Sequence, residues 1–128
     1  MKIRSISVFM MTLFTLVGCY GGSGGGSSQT QIPALMAPAD MSNKDAAAKN
    51  NEGVDHLVQG HYDVAAPLFK EAVGMKSNFA EAHFNLGLAL DGKGDHEGAK
   101  EAFQKAKEFG GNNPKIAENE ILKKHLGT

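Results

Sequence analysis

The apolar residues of this chain run together near its N-terminus and recur at intervals further on. A mostly apolar stretch extends from about Ile6 to Val17, and it follows the basic residues Lys2 and Arg4. It is short for a membrane span, which needs ~20 apolar residues. A basic start, a short apolar run and then small residues are the layout of a secretory signal peptide. A buried helix or a short membrane anchor is the alternative.

The next segment, residues 20–41, carries no charge before Asp40 and is rich first in Gly and Ser, then in Pro and Ala. This composition predicts a tether, and about twenty such residues span roughly 25 Å. Three apolar residues are unusual in a spacer: Ile32, Leu35 and Met36. Two alternatives stay open for them. Either they dock on the following domain, or they are incidental residues of a disordered tether, which the composition favours.

From Ala46 onward the chain repeats itself at a separation of 34 residues. Eight identities align without a gap: Ala46 with Ala80, Ala48 with Ala82, Asn51 with Asn85, Gly53 with Gly87, Gly60 with Gly94, Ala65 with Ala99, Phe69 with Phe103 and Ala72 with Ala106. Nearly all are small residues at helix-packing positions. We therefore expect helices that pack closely: Gly53 and Gly87 let one helix approach the next, where Ala65 and Ala99 lie, and Phe69 and Phe103 fill the space between repeats.

Residues that begin and end helices support this division. Ser42…Asp45 and Asn78…Glu81 resemble capping boxes for the first helix of each repeat. Further boundaries are predicted by Gly60 and Gly94 in the turns, Asp95 at a helix start, Gly110–Gly111 at its end, and Asn113–Pro114 before a last helix that reaches Leu126. The predicted divisions are a signal peptide (1–18), a tether (19–41), repeat 1 (42–79), repeat 2 (80–113) and a capping helix (114–128).

The period and its residues resemble the tetratricopeptide repeat, a helix–turn–helix unit of 34 residues. The motif residues are Leu86–Gly87, Ala65 with Phe69, Ala99 with Phe103, and the later small residues Ala72 and Ala106. The resemblance implies an all-α fold, a short α-solenoid of two repeats with a capping helix. The sequence departs from the family pattern at Lys49 and His83 (Trp), His56 and Leu90 (Tyr), and Ser77 and Gly111 (Pro). A helical hairpin pair unrelated to the family is the alternative.

The end of the apolar run resembles a second family motif. Leu16-Val17-Gly18-Cys19 is similar to the lipobox of bacterial lipoproteins, and Cys19 is the single cysteine of the chain. The resemblance implies cleavage between Gly18 and Cys19, a diacylglyceryl group on the Cys19 thiol and an acylated new N-terminus. The residue after Cys19 is Tyr20 and not Asp, which is the usual signal for retention in the inner membrane. The resemblance therefore implies a protein on the outer membrane that faces the periplasm, if the source has two membranes. A stray Cys after an ordinary signal peptide is the alternative.

Composition excludes several classes of function. One Cys rules out an intramolecular disulfide framework, and the formal charge of −1, or −3 after residues 1–18 are removed, gives no basis for nucleic-acid binding. No catalytic motif occurs, so we expect no enzyme, no cofactor and no metal site. The histidines are His56, His61, His83, His96 and His125. Of these, His83 and His96 fall on different helices of one repeat and could be neighbours, with packing or surface roles expected.

The tetratricopeptide resemblance implies a concave groove, lined by the first helix of each repeat, that binds a peptide or a partner helix. The groove positions carried over are Asn50, Asn51, Val54, Leu57, Phe84, Asn85, Leu88 and Asp91. Asn51 and Asn85 could clamp a ligand backbone, because an amide both donates and accepts; packing between helices is the alternative for each residue. The expected function is a membrane-anchored adaptor or assembly factor of an envelope complex. A self-associating structural subunit, or a non-catalytic accessory subunit of an envelope enzyme or secretion system, is the alternative.

Overall fold

A computed structural model of the chain describes residues 31–128. Within that range the chain forms helices and no strand, which confirms the all-α prediction. The helices are α1 (Lys44–Val58), α2 (Tyr62–Met75), α3 (Ala80–Gly92), α4 (His96–Gly110), α5 (Pro114–Ala117) and α6 (Glu120–Leu126). None of them has the length and hydrophobicity to cross a membrane.

Helices that are consecutive in the chain pack on one another, so the fold extends in one direction. α1 pairs with α2, α3 pairs with α4, and α2 packs against α3 to join the two hairpins. The core lies inside and between these hairpins, and its largest fully buried apolar side chains are Phe69, Phe79, Phe84, Phe103, Leu57, Ile116 and Leu122. Helical hairpins that stack and pack on their neighbours in this way are the architecture of a short α-solenoid.

Each hairpin turns at the glycine that the repeat predicts. Gly60 has φ of 77° and Gly94 has φ of 83°, values that L side chains rarely adopt. The two glycines occupy equivalent places in successive repeats, after α1 and after α3. This part of the sequence prediction is confirmed.

The close approach within each hairpin occurs at an aromatic ring rather than at alanine. A Cβ added at Gly53 would lie 2.7 Å from the ring of Phe69, and one added at Gly87 would lie 2.6 Å from the ring of Phe103. The glycines therefore let the first helix approach the second as predicted, and the nearest atoms there belong to the rings of Phe69 and Phe103. Phe69 and Phe103 fill the space inside their own hairpins, because only a residue without a side chain leaves room for the ring.

The helix starts differ in part from the predicted capping boxes. Asn43, not Ser42, is the N-cap of α1, and its side chain accepts a hydrogen bond from the Ala46 N–H at 3.0 Å. α3 follows Phe79, which is buried and gives no side-chain cap. Asp95 caps α4 as predicted, through a 2.9 Å bond from the Gly98 N–H.

The C-terminal residues form two short helices instead of the one predicted from Pro114 to Leu126. The side chain of Asn119 accepts hydrogen bonds from the N–H groups of Ile121 and Leu122, so it starts a new helix at Glu120. An asparagine that bonds the backbone in this way interrupts a helix. Both α5 and α6 pack on α4, in agreement with a capping role.

One departure from the family pattern has local compensation. Lys49, at the position of the family's Trp, forms an ion pair with Glu71 on α2 at 3.1 Å, so charge links the two helices there. Pro67 is the sixth residue of α2, and because it has no N–H it cannot donate to the Asp63 carbonyl one turn earlier.

Candidate functional site

Within the described range, the segment that precedes α1 contacts the helical domain. Residues 32–37, here called the strap, contain no helix or strand, and Ile32 and Leu35 pack against the buried core. Beyond the strap, Met41 is buried in a second apolar cluster that includes Phe79. Of the two alternatives for the apolar residues of the predicted tether, the structure shows docking for Ile32 and Leu35, for which the disordered alternative is wrong. Met36 does not dock in this way and is 53% exposed.

Three asparagine side chains bind the backbone of the strap. Asn85 on α3 accepts a hydrogen bond from the Leu35 N–H at 2.8 Å and donates one to the Leu35 carbonyl at 2.7 Å. Asn50 on α1 donates to the same carbonyl at 3.0 Å, and Asn51 accepts from the Ala37 N–H at 2.8 Å. All four bonds go to main-chain atoms, so this contact recognises a peptide backbone and not particular side chains.

The three amides also bond to one another. Asn85 Nδ2 donates to Asn50 Oδ1 at 2.9 Å, and Asn50 Nδ2 lies 3.2 Å from Asn51 Oδ1. Asn50 and Asn85 are fully buried, and a buried amide without partners would be costly. The network fixes the orientation of Asn85, because a flipped amide would place its NH₂ group against the Leu35 N–H. The strap thus completes the hydrogen bonding of two buried side chains.

The eight predicted groove residues fall in three environments. The three asparagines contact the strap, and Val54 lines a surface depression together with Ile32 and Ala34 of the strap. Leu57, Phe84 and Leu88 are buried among the core residues; the Phe84 ring lies 5.7 Å from that of Phe103 in α4. Asp91 bonds to histidines instead. Partner binding by these residues stays a prediction.

Asp91 lies at the end of α3 beside two histidines from other helices. Its Oδ1 atom is 2.7 Å from His96 Nδ1 and 2.9 Å from His125 Nε2. Burial raises the pKa of the Asp91 carboxyl, but the bonds and charges of His125 and His96 outweigh it, and the pKa lies below its ordinary value. Asp91 and His125 are 34 residues apart, so the repeat period itself was a signal for this contact.

The predicted pairing of His83 with His96 is wrong. The two helices run antiparallel, so the start of α3 lies near the end of α4: His83 stacks near Phe109, with ring centroids 5.6 Å apart. Its Nε2 donates to the Ser77 carbonyl at 2.8 Å, while its buried Nδ1 has no hydrogen-bond partner among residues 31–128. Burial lowers the pKa of His83, against the opposing effect of the Ser77 bond. The expected packing role of His83 agrees with its burial.

Comparison with known families identifies the repeats. The sequence model of a family described as Tetratricopeptide repeat matches residues 50–114, which is half of the chain. The chain belongs to the tetratricopeptide repeat family. Repeats of this family generally mediate the binding of protein partners and are generally non-catalytic scaffolds. No curated protein matches the chain.

The tetratricopeptide match begins at Asn50, so the strap lies outside the repeats that it contacts. Its docking could not be derived from the family pattern; the available signals were Ile32 and Leu35 in an otherwise polar segment and the equivalent asparagines of the two repeats. The predicted cleavage site at Gly18 and lipidation site at Cys19 lie outside the described residues, and both stay predictions.

Proposed function

We propose that this tetratricopeptide protein is a membrane-anchored adaptor or assembly factor of a cell-envelope complex, and that the asparagine-lined groove between α1 and α3 binds a linear segment of a partner protein. Family membership supports the protein-binding part of the proposal. The position of the strap supports the groove part, because a piece of polypeptide already occupies that surface in the structure.

The observation that carries the proposal is the bonding of the Leu35 peptide group. One side chain, Asn85, satisfies both its N–H and its carbonyl, and Asn50 adds a second donor to the carbonyl. A partner segment can take the same three bonds with any residue other than proline at that position, since proline lacks the N–H. Because the Leu35 side chain packs against the core, the groove also suits an uncharged segment with an apolar residue at that position.

The strap competes with such a partner. It is part of the same chain and joins α1 through residues 38–43, so its effective concentration at the groove is in the millimolar range typical of short linkers. A partner segment enters only when it binds more tightly than the strap or when something else displaces the strap. Residues 32–37 therefore act as an intrinsic stand-in for the partner and set a threshold for its binding.

The proposed anchor rests on the N-terminal sequence. Lys2 and Arg4, the apolar run and Leu16-Val17-Gly18-Cys19 support a lipid on Cys19, with the outer membrane facing the periplasm as the site in a diderm source. The strap begins at residue 32, so residues 20–31 are the part of the predicted tether that precedes it. A coil of that length would span about 17–21 Å, which would keep the domain close to the lipid surface.

A synthetic peptide tests the groove directly. The probe is a fluorescein-labelled peptide with the sequence of residues 30–39, TQIPALMAPA, and its anisotropy is measured with the full-length protein in detergent. We expect little binding to the wild type, because the strap fills the groove, and clear binding to Leu35→Asp, whose carboxylate does not suit the partly buried Leu35 position. Adding Asn85→Ala to Leu35→Asp should abolish the binding.

The matched control adds Asn112→Ala to Leu35→Asp, because Asn112 is an exposed asparagine remote in sequence from the groove helices. This control should bind the peptide as Leu35→Asp does. The groove proposal fails if Leu35→Asp does not bind the peptide, or if Asn85→Ala leaves the binding unchanged. Circular dichroism of each variant verifies that the helical domain remains folded.

A further inference from the structure

We propose that Asp91, His96 and His125 form a binding site for one divalent late-transition-metal ion of the Zn²⁺ type, independent of the asparagine groove. The three residues come from the end of α3, the start of α4 and the last turn of α6. Each offers one ligand atom, and all three of these atoms lie within 4.8 Å of one another. They line a common surface depression with Lys124.

The hydrogen bonds of His125 orient it as a ligand. Its Nδ1 lies 2.9 Å from the Ile121 carbonyl, and a carbonyl only accepts, so Nδ1 carries a proton. The opposite nitrogen, Nε2, then points at Asp91 Oδ1 at 2.9 Å. In the neutral ring these two atoms are both acceptors, so their contact needs either a proton, on the ring or on the carboxyl group, or a metal ion that binds both atoms. Metal-binding histidines almost always donate their other N–H to a carbonyl, carboxylate or water.

The donor set selects the kind of ion. Imidazole nitrogen suits zinc, copper and nickel, whereas Ca²⁺ and Mg²⁺ take oxygen ligands. Two histidines, one carboxylate and a water would complete a four-coordinate site. In a tetrahedral site with Zn–N of about 2.0 Å the ligand atoms are roughly 3.3 Å apart. Asp91 Oδ1 would move away from both nitrogens by a few tenths of an ångström.

The surroundings allow this adjustment. The His96 side chain is 71% exposed, so it can rotate toward a shared ion without disturbing the core. The His125 side chain is 15% exposed and its ring centroid lies 5.0 Å from that of Phe103, which holds it in place. The nearby ammonium of Lys124 opposes a bound cation, but Lys124 is exposed and its long side chain can turn into solvent. A bound ion would link α6 to α3 and α4 through coordination bonds.

The experiment uses full-length protein without a polyhistidine tag, in detergent and with Cys19→Ser, so that the thiol contributes no ligand. Calorimetric titration with Zn²⁺ should show one equivalent bound, and Co²⁺ should give the visible absorption of a four-coordinate complex. His96→Ala and Asp91→Asn should each weaken Zn²⁺ binding at least about tenfold. A Zn²⁺ concentration that saturates the Cys19→Ser protein should raise its thermal midpoint, and should raise that of His96→Ala less.

His61→Ala is the matched control, because His61 is also exposed and also lies at a helix start. It should bind Zn²⁺ as the Cys19→Ser protein does. The proposal is overturned if no stoichiometric binding occurs, or if His96→Ala and His61→Ala bind Zn²⁺ equally well. His96→Ala is the decisive variant, since the removal of an exposed side chain leaves the buried core intact.

Discussion

The substitution Asn85→Ala tests the docking of the strap, and its effect can be measured at single backbone N–H groups. Asn85 makes two of the four hydrogen bonds between the asparagines and the strap backbone. Its removal leaves the Leu35 N–H without an acceptor and leaves the Leu35 carbonyl with Asn50 alone. We therefore expect the strap to open more often while α1 to α4 stay folded.

The size of the effect follows from the bonds lost. A hydrogen bond contributes about 0.5–1.5 kcal/mol net, so two of them stabilise docking by about 1–3 kcal/mol. At 1.4 kcal/mol per factor of ten, the population of the open strap rises about 5- to 150-fold. The buried Asn50 also loses a partner, which adds a smaller penalty to the whole domain.

Amide hydrogen exchange followed by NMR measures this opening. The informative group is the Ala37 N–H, because its own acceptor, Asn51, is unchanged in the variant. If the strap opens as a unit, exchange at Ala37 should accelerate by the same factor as the population of the open strap, about 5- to 150-fold. Asn112→Ala should leave exchange at Ala37 unaltered.

Two results would refute this reasoning. Unchanged exchange at both Leu35 and Ala37 in Asn85→Ala would mean that the amide bonds do not hold the strap. Acceleration at Leu35 alone would mean that residues 32–37 do not open together, and the strap could not then act as a single competitor for a partner.

Three further predictions concern the fold, its pH dependence and the anchor. Gly87→Ala should lower the free energy of unfolding by about 1–2 kcal/mol, because overpacking against Phe103 exceeds the gain in helix propensity. Gly74→Ala, with open space at its Cβ, should instead raise the free energy of unfolding by up to about 1 kcal/mol. Equal shifts of the two variants in chemical denaturation would contradict the ring contact. Burial lowers the pKa of His83 in the folded state, so its stabilising contribution is complete above the unfolded pKa near 6.5 and is lost as the pH falls below it. The thermal midpoint of His83→Phe should therefore drop less than that of the wild type from about pH 7.5 to about pH 5.5. Identical drops in the two proteins would exclude this role. Cys19→Ala should block the predicted processing or release the protein from membranes, and a normally cleaved, membrane-bound variant in fractionation would contradict lipidation.

Sequence periodicity predicted the features that depend on local spacing. The turns at Gly60 and Gly94 and the Asp95 cap follow from one residue and its neighbours in the chain, and all three are confirmed. The break at Asn119 was missed because an asparagine inside a helical pattern can either face solvent or bond to the backbone. The pattern alone does not distinguish these two outcomes.

The candidate sites depend on contacts between distant residues, and the sequence predicted them less well. Asn51 and Asn85 were predicted as a backbone clamp, but the third member, Asn50, was expected only as a general groove residue. The occupant was not predicted because docking depends on the three-dimensional spacing of these amides. Asp91 contacts His96 across the turn between α3 and α4, whereas its contact with His125 requires the packing of α6 on α4. Apart from the separation of one repeat period, no sequence pattern specifies that packing.

The amides beneath the strap also affect the solubility of the open form. When an apolar segment leaves an ordinary hydrophobic cleft, it exposes a surface that favours aggregation. Here the departure of residues 32–37 would uncover the donors and acceptors of Asn50, Asn51 and Asn85 along with the apolar residues beside them. Water can bond to these amides while the groove is empty. The open domain therefore does not expose a purely apolar surface before a partner binds.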